Sequence, residues 1–215
     1  FDKALLISSG SMTIEIVLFD LGGVLIDWNP RYLYRHLIPE PDALDRFLTE
    51  ICPQSWNERQ DAGRPIAEAT RERIALHPDH ADLIAAYYGR WEEMLSGPVD
   101  GTVALLEALH GSGLPLYALS NWSAELFPIA RRRFGFLDRF RGLVISGEEG
   151  LIKPDPAIFH LLAKRYGLVA QETLFIDDNP ANVAAAEALG FRTHHFRTSK
   201  SLSEELARLG LLCDN

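Results

Sequence analysis

Four short stretches carry the residues able to do covalent chemistry: Asp20 ahead of Gly22-Gly23, Ser120-Asn121, Lys153, and Asp177-Asp178. A carboxylate such as Asp20 can attack phosphorus and form an aspartyl phosphate, which water then hydrolyses. Asp20 together with Asp177 and Asp178 would be an acidic cluster that repels itself unless a divalent cation binds. Magnesium is the hard, oxygen-preferring choice, held by one or two carboxylates plus waters and substrate phosphate. The Ser120 hydroxyl and the Lys153 ammonium can hold phosphoryl oxygens and spread developing charge. Gly22 and Gly23 let backbone amides approach whatever Asp20 touches. The partner implied is a small phosphorylated molecule.

Strands must bring these groups together. Ile14, Ile16, Val17, Leu18 and Phe19 form a short apolar run rich in β-branched and aromatic residues, which reads as a buried strand ending at Asp20. Leu114 to Leu119 is a second strand, ending at Ser120-Asn121, and Thr173 to Ile176 a third, ending at Asp177-Asp178. In an open α/β sheet, strand ends of one sense share one edge, and ligands bind there. Singly each signal is weak. Ser-Asn after a strand is a common turn, Lys153-Pro154 a common solvated loop, and Asp-Asp-Asn-Pro a common helix cap. Their order along the chain makes the set specific.

The rest of the chain supports a parallel sheet. Helices are expected at 103–110, 124–134, 156–166, 181–189 and 203–209, with further strands at 143–146 and 192–196. Strands alternating with helices give a parallel sheet covered on both faces. From Trp28 to Gly97 the pattern is helical instead, with candidates beginning at Pro30 and at 43–51, 66–76 and 81–95, separated by Gly and Pro breakers. No β-type alternation is convincing there. The fold class is therefore α/β, with a core of residues 13–27 and 98–215 and a helical insertion at 28–97. Residues 1–12 read as a cloning remnant ahead of a natural start at Met12.

Composition narrows the classes. The 215 residues are 47% hydrophobic and 24% charged, an ordinary globular make-up. A net charge of -9 argues against nucleic acid, which needs basic patches. It also gives an anionic substrate no long-range attraction, so phosphate would need a local cation. Cys52 and Cys213 lie far apart without metal-ligand spacing and read as free thiols of a reducing compartment. No apolar run approaches the roughly 20 residues of a membrane span, and no signal peptide is evident. These features point to the cytoplasm.

The order F-D-L-G-G-V-L, L-S-N, L-I-K-P-D, F-I-D-D-N-P-A-N-V resembles the haloacid dehalogenase-like (HAD) hydrolase superfamily from about Thr13 onward. The insertion directly after the first motif resembles that family's helical cap. The resemblance implies a Rossmann-like core, Asp20 as nucleophile, and Ser120 and Lys153 at the transferred group. It implies backbone or amide donors from Gly23 and Asn121. It implies magnesium on Asp20, on the Gly22 carbonyl and on Asp178, with Asp177 a neighbouring second layer. Asn182 stands where many members have another acid. A two-component receiver also groups acids, Ser/Thr and Lys around magnesium, but its acid pair comes early and it needs no cap.

One position departs from the family's phosphatases. Most carry a second Asp two residues after the nucleophile, which protonates the leaving oxygen and later activates water. That position is Gly22 here. A missing general acid costs about a hundred- to ten-thousand-fold. Three readings follow: a phosphatase of esters that leave without protonation, a metal-independent 2-haloacid dehalogenase, or a non-catalytic binding domain. Some sugar-1-phosphate phosphatases of the family share a similar D-L-G start. Two extra carboxylates without a cation would repel a carboxylate substrate and a departing halide, which favours the phosphatase. The binding-domain reading is weaker, since nucleophile, lysine and metal acids are all retained.

Other residues invite roles. Asp27 is a conceivable substitute acid, though a loop carboxylate is the plainer reading. Trp28, Trp56 and Trp122 could line a pocket, although aromatics more often pack. The family's habit of placing specificity on cap loops points to the 56–64 stretch, where Arg59 and Arg64 could meet an anion or simply be solvated. Arg131 to Arg133 reads as a solvated face. His194 and His195 alternate across a strand and have no partner at ligand spacing.

Overall fold

Alternation along three short strands builds two cores at once. The computed structural model describes residues 13–212. Its strands are β1 (Ile16–Phe19), β2 (Ile26–Trp28), β3 (Leu95–Pro98), β4 (Leu116–Ser120), β5 (Gly142–Ile145), β6 (Thr173–Asp177) and β7 (Arg192–His195). Val17, Phe19, Leu116, Ala118, Leu174 and Ile176 face one core, and Leu18, Leu119 and Phe175 face the other. Successive side chains of a strand point to opposite faces, so a sheet buried on both sides needs apolar residues at every position. All nine are buried.

Five strands pair in parallel in the order β5-β4-β1-β6-β7. The helices are α1 (Arg31–Leu37), α2 (Pro41–Arg46), α3 (Gln54–Asp61), α4 (Ile66–Leu76), α5 (Ala81–Gly89), α6 (Asp100–Gly111), α7 (Phe127–Arg133), α8 (Ser146–Glu149), α9 (Pro156–Tyr166), α10 (Pro180–Ala188) and α11 (Ser199–Arg208). Helix α9 closes the second core with Ile158, Phe159 and Leu162, and Phe159 meets Phe175 edge-on at 5.5 Å. Burying each such side chain stabilises by about 1.5–3 kcal/mol. Asp155 caps α9, accepting from the Ala157 N–H at 2.8 Å, and Gly167 ends it with φ +67. The α/β class is the one the sequence predicts.

The segment between β2 and β3 corrects the sequence reading at both ends. Trp28 lies in β2 and Leu95–Pro98 forms β3, which pair antiparallel with Ile26 opposite Pro98 and Asp27 opposite Gly97. These two strands lead the chain out to α1–α5 and back. The expected 81–95 helix stops at Gly89 and gives way to a 3-10 turn over Trp91–Met94. The expected 124–134 helix starts only at Phe127, because the Leu126 and Phe127 N–H groups both turn back to the Ser123 carbonyl. Helix α3 has no counterpart among the expected elements. The leader and Cys213 lie outside the described residues; Cys52 is buried and has no disulfide partner among the described residues. No helix among the described residues is long and apolar enough to cross a membrane.

Candidate active site

Parallel register assembles the four stretches. Phe19 stands opposite Ala118 of β4 and Ile176 of β6, so the next residues emerge at one sheet edge. Those are Asp20, the Leu119-Ser120 end of β4, and Asp177. The Asp20 N–H donates to the Ile176 carbonyl at 2.8 Å, continuing the ladder into the site. Asp20, Gly22, Gly23, Ser120, Asn121, Lys153 and Asp178 line a single cavity of about 700 Å³.

Lys153 reaches this edge from the loop between α8 and α9. Asn121 fixes it: the Asn121 amide donates to the Lys153 carbonyl at 2.9 Å and accepts from the Lys153 N–H at 2.8 Å. The Asn121 side chain is thus committed to holding Lys153. The fully buried ammonium donates to the Leu119 carbonyl at 2.8 Å and to Asp177 Oδ2 at 2.6 Å, and lies 3.1 Å from Asp20 Oδ1. Burial pulls its pKa down, but the charges of Asp20 and Asp177 outweigh that and hold it above the ordinary lysine value.

The two adjacent acids differ in what they meet. Asp177 is wholly buried, and it also accepts from the Asn179 N–H at 2.8 Å and from Asn182 Nδ2 at 3.1 Å on both oxygens. Asp178 is more open, and its carboxylate occupies the space beside Gly23. A Cβ on Gly23 would lie 2.2 Å from Asp178 Oδ2. The Gly23 N–H is bonded to the Ile26 carbonyl at 2.9 Å. What Gly23 gives the site is therefore room for Asp178 and a φ of +76.

The cluster fits a hard divalent cation. Oxygens of Asp20, Asp177 and Asp178 lie within 4.8 Å of one another. Burial raises Asp20 well above the carboxylate range; Lys153 pulls it down, and Asp177 and Asp178 push it up. Burial and then Asp177 raise Asp178 as well. Asn182 Oδ1 is buried, has no hydrogen-bond partner among the described residues, and belongs to a residue lining the cavity. Among the described residues, the acidic side chains at the cavity are Asp20, Glu58, Asp61, Asp155 and Asp178, against the single cation Lys153. An all-oxygen donor set with an excess of carboxylates suits magnesium.

A model of the haloacid dehalogenase-like hydrolases matches residues 14–190, which span all four motifs. The chain belongs to this family. Membership makes it a hydrolase. Among its relatives, the sesquiterpene phosphatase AstK of Aspergillus oryzae is 29% identical over 92% of this chain and 97% of its own. A phosphoglycolate phosphatase of Yersinia pseudotuberculosis is 31% identical over 82% of this chain and 78% of its own. Among solved structures, a HAD-like family hydrolase from Porphyromonas gingivalis superposes with a TM-score of 0.71 at 25% identity, covering 92% of this chain and 98% of that one.

Residues of this HAD hydrolase that the sequence left with two readings divide between the cavity and its surroundings. Asp27 accepts from the Tyr32 hydroxyl at 2.7 Å and does not line the cavity. Trp28 and Trp122 do line it, whereas Trp56 packs on Tyr87 and Tyr88 at ring separations of 5.2 and 5.1 Å. Arg64 pairs with Glu68 and Glu72, and neither Arg59 nor Arg64 reaches the cavity. His195 Nε2 lies 3.0 Å from the Asp178 carbonyl. Gln54, Asn57, Glu58 and Asp61 of α3, and Trp91, line the cavity without having been singled out. The available signal was a run of nine residues after Pro53 free of Gly and Pro, overlapping the 56–64 stretch that resemblance marks for specificity.

Proposed function

We propose that the protein is a magnesium-dependent phosphatase that hydrolyses a small phosphate monoester through an aspartyl phosphate on Asp20. The observation that carries this reading is the shared edge itself: Asp20, Lys153 and the Asp177-Asp178 pair, with Lys153 Nζ between two carboxylates. In the first step an Asp20 oxygen attacks phosphorus and the ester P–O bond breaks. In the second, water attacks phosphorus, inorganic phosphate leaves and Asp20 is regenerated. Lys153 opposes the burial that raises the Asp20 carboxyl and balances phosphoryl charge, and the Ser120 hydroxyl holds a phosphoryl oxygen. Asp20, Asp178 and the Gly22 carbonyl would hold magnesium, with Asp177 orienting Lys153 and Asn182 behind them. Magnesium, when bound, supplies the positive charge that lets a dianionic phosphate enter an acidic cavity.

Residues 28–97 serve as a cap. Support comes from α3, whose Gln54, Asn57, Glu58 and Asp61 form the wall opposite the sheet edge, beside Trp28, Trp91 and Trp122. The phosphatase relatives are named for dissimilar substrates, one a sesquiterpene and one phosphoglycolate, which fits specificity lodged in this wall rather than at Asp20. The concentration of carboxylates disfavours haloacid turnover, since substrate carboxylate and leaving halide would both be repelled.

The test is phosphate release from a panel of phosphomonoesters, with magnesium and with excess chelator, beside halide release from 2-chloropropionate without metal. Magnesium-dependent phosphate release, lost in Asp20→Asn, is expected. Metal-independent halide release would sink the phosphatase reading.

A further inference from the structure

Gly22 leaves the departing oxygen without the acid that stands there in most phosphatases of the family. Four other carboxylates besides Asp20 line the cavity, and three have other commitments or surroundings. Asp178 belongs to the acidic cluster, Asp155 caps α9, and Glu58 is exposed. The fourth is Asp61, the last residue of α3, only 6% exposed.

Asp61 is locked against the loop that follows Ser120. Its carbonyl accepts from Ser146 Oγ at 2.5 Å, and Ser146 Oγ accepts from the Trp122 N–H at 2.9 Å. Beyond it, a Cβ on Gly63 would come within 3.2 Å of the Gly147 carbonyl, and one on Gly147 within 2.4 Å of the Ala124 nitrogen. Two glycines thus let the end of α3 seat directly on the 122–124 loop. The side chain is set too. The Tyr88 hydroxyl donates to Asn57 Oδ1 at 3.1 Å, which turns the Asn57 amide so that its Nδ2 donates to Asp61 Oδ2 at 2.9 Å.

We infer that Asp61 is the general acid of this enzyme, giving its proton to the ester oxygen as the P–O bond breaks and taking one back from the attacking water. This rests on the phosphatase reading. As Asp20 attacks, the bonding pair moves to the leaving oxygen, which takes the Asp61 proton and departs as an alcohol. Asp61, now ionised, accepts a proton as water attacks the phosphoenzyme, so each turnover restores it. The substrate class follows: esters of ordinary alcohols, whose alkoxides cannot leave unprotonated.

The surroundings suit that task. Burial raises Asp61 to about 7; the Ser123 N–H opposes this and Glu58 adds to it. The ionisable neighbours on the packed α5 are the phenols of Tyr87 and Tyr88. No cation acts on Asp61 among the described residues.

The experiment compares kcat/KM for an alkyl and an aryl phosphate in the magnesium-loaded parent and in Asp61→Asn. This constant reports only steps through departure of the leaving group, so the later use of Asp61 as base does not enter. The alkyl ester is expected to lose about a hundred- to ten-thousand-fold in the variant, and the aryl ester less than about tenfold. In the parent, alkyl kcat/KM should fall as pH rises above about 7 while aryl kcat/KM does not, a difference absent from the variant. Equal losses on both esters, or none, would overturn the role. So would identical pH profiles for the two esters in the parent, a readout that needs no variant to fold. Absence of phosphate release from either ester by the parent would instead remove the phosphatase reading, and this inference with it.

Discussion

Lys153 Nζ stands 3.1 Å from Asp20 Oδ1 with both side chains buried, and the same nitrogen donates to Asp177 at 2.6 Å. One ammonium is therefore shared between the nucleophile and the first residue of the acidic pair, and its single charge balances only one of the two carboxylates. Breaking a buried pair costs about 3–5 kcal/mol, because the abandoned charge remains. Lys153→Met should lose stability of that order in urea unfolding at neutral pH, along with phosphate release. The loss should shrink at pH 5, where protonation relieves Asp20 of its missing partner. A variant as stable as the parent at pH 8 would contradict this.

Asp177 and Asp178 separate structure from metal chemistry. Asp177 accepts from Lys153, the Asn179 N–H and Asn182, while Asp178 faces the cavity over Gly23. Asp177→Asn should destabilise by about 1–3 kcal/mol, since the buried hydrogen bonds from Lys153, the Asn179 N–H and Asn182 are lost or weakened while Asp20 still pairs with Lys153. Asp178→Asn removes a like charge and should unfold no more readily than the parent. It should nevertheless need at least about tenfold more magnesium for half-maximal activity. Denaturant melts beside magnesium titrations check both, and equal effects of the two substitutions on stability would refute the division.

The neighbouring glycines should respond oppositely to alanine. Gly23 has φ +76, and its Cβ would strike the Asp178 carboxylate, whereas a Cβ on Gly22 meets nothing within 4 Å. Gly23→Ala should cost about 1–2 kcal/mol from the left-handed backbone alone, and should displace Asp178 and weaken magnesium-dependent turnover. Gly22→Ala should change folding stability by less than about 0.5 kcal/mol. Thermal melts of the two variants decide it.

The shared sheet edge was legible because parallel strands announce themselves as apolar runs, and polar residues at their ends emerge together. Asp20, Ser120 and Asp177 followed from that alone. Helix α3 did not, for a physical reason. Its buried positions are Trp56, Asn57, Gln60 and Asp61, so the face turned inward is mostly polar and held by hydrogen bonds to Tyr88 and within the helix. Hydrophobic periodicity cannot reveal such a helix. Strands β2 and β3 escaped for another reason. They are three and four residues long, pair across the whole helical segment, and include Gly97-Pro98, which locally reads as a breaker. Asp61 was hidden twice, by an unseen helix and by a contact with Ser146 that lies 85 residues away in sequence.

Asp61 also predicts how stability varies with pH. Burial raises its pKa from 3.8 to about 7. A group raised on folding stabilises the native state fully below its unfolded value, and that contribution is lost as pH rises through the folded value. At about 1.4 kcal/mol per unit, the parent should lose up to roughly 4 kcal/mol between pH 4 and pH 7 relative to Asp61→Asn, which cannot ionise. Urea unfolding of the two proteins at pH 5 and pH 8 should therefore show the variant gaining on the parent at the higher pH. A constant difference would mean that Asp61 folds with an ordinary pKa.

Gly22→Asp tests whether the two acid positions are alternatives. The absence of any atom within 4 Å of a Cβ at Gly22 leaves room for the carboxyl that most phosphatases of the family place there. If Asp61 already protonates the leaving oxygen, a second acid in the parent is redundant, and alkyl-phosphate kcat/KM should change by less than about threefold. In the Asp61→Asn background the same substitution should restore alkyl turnover by at least about tenfold while leaving aryl turnover nearly unchanged. The coupling between the two changes, read as a double-mutant cycle on the alkyl ester, is the measured quantity. Independent effects would mean that Asp61 and the residue at position 22 act on different steps. A large gain in the parent alone would mean that the leaving oxygen has no acid until one is put at position 22.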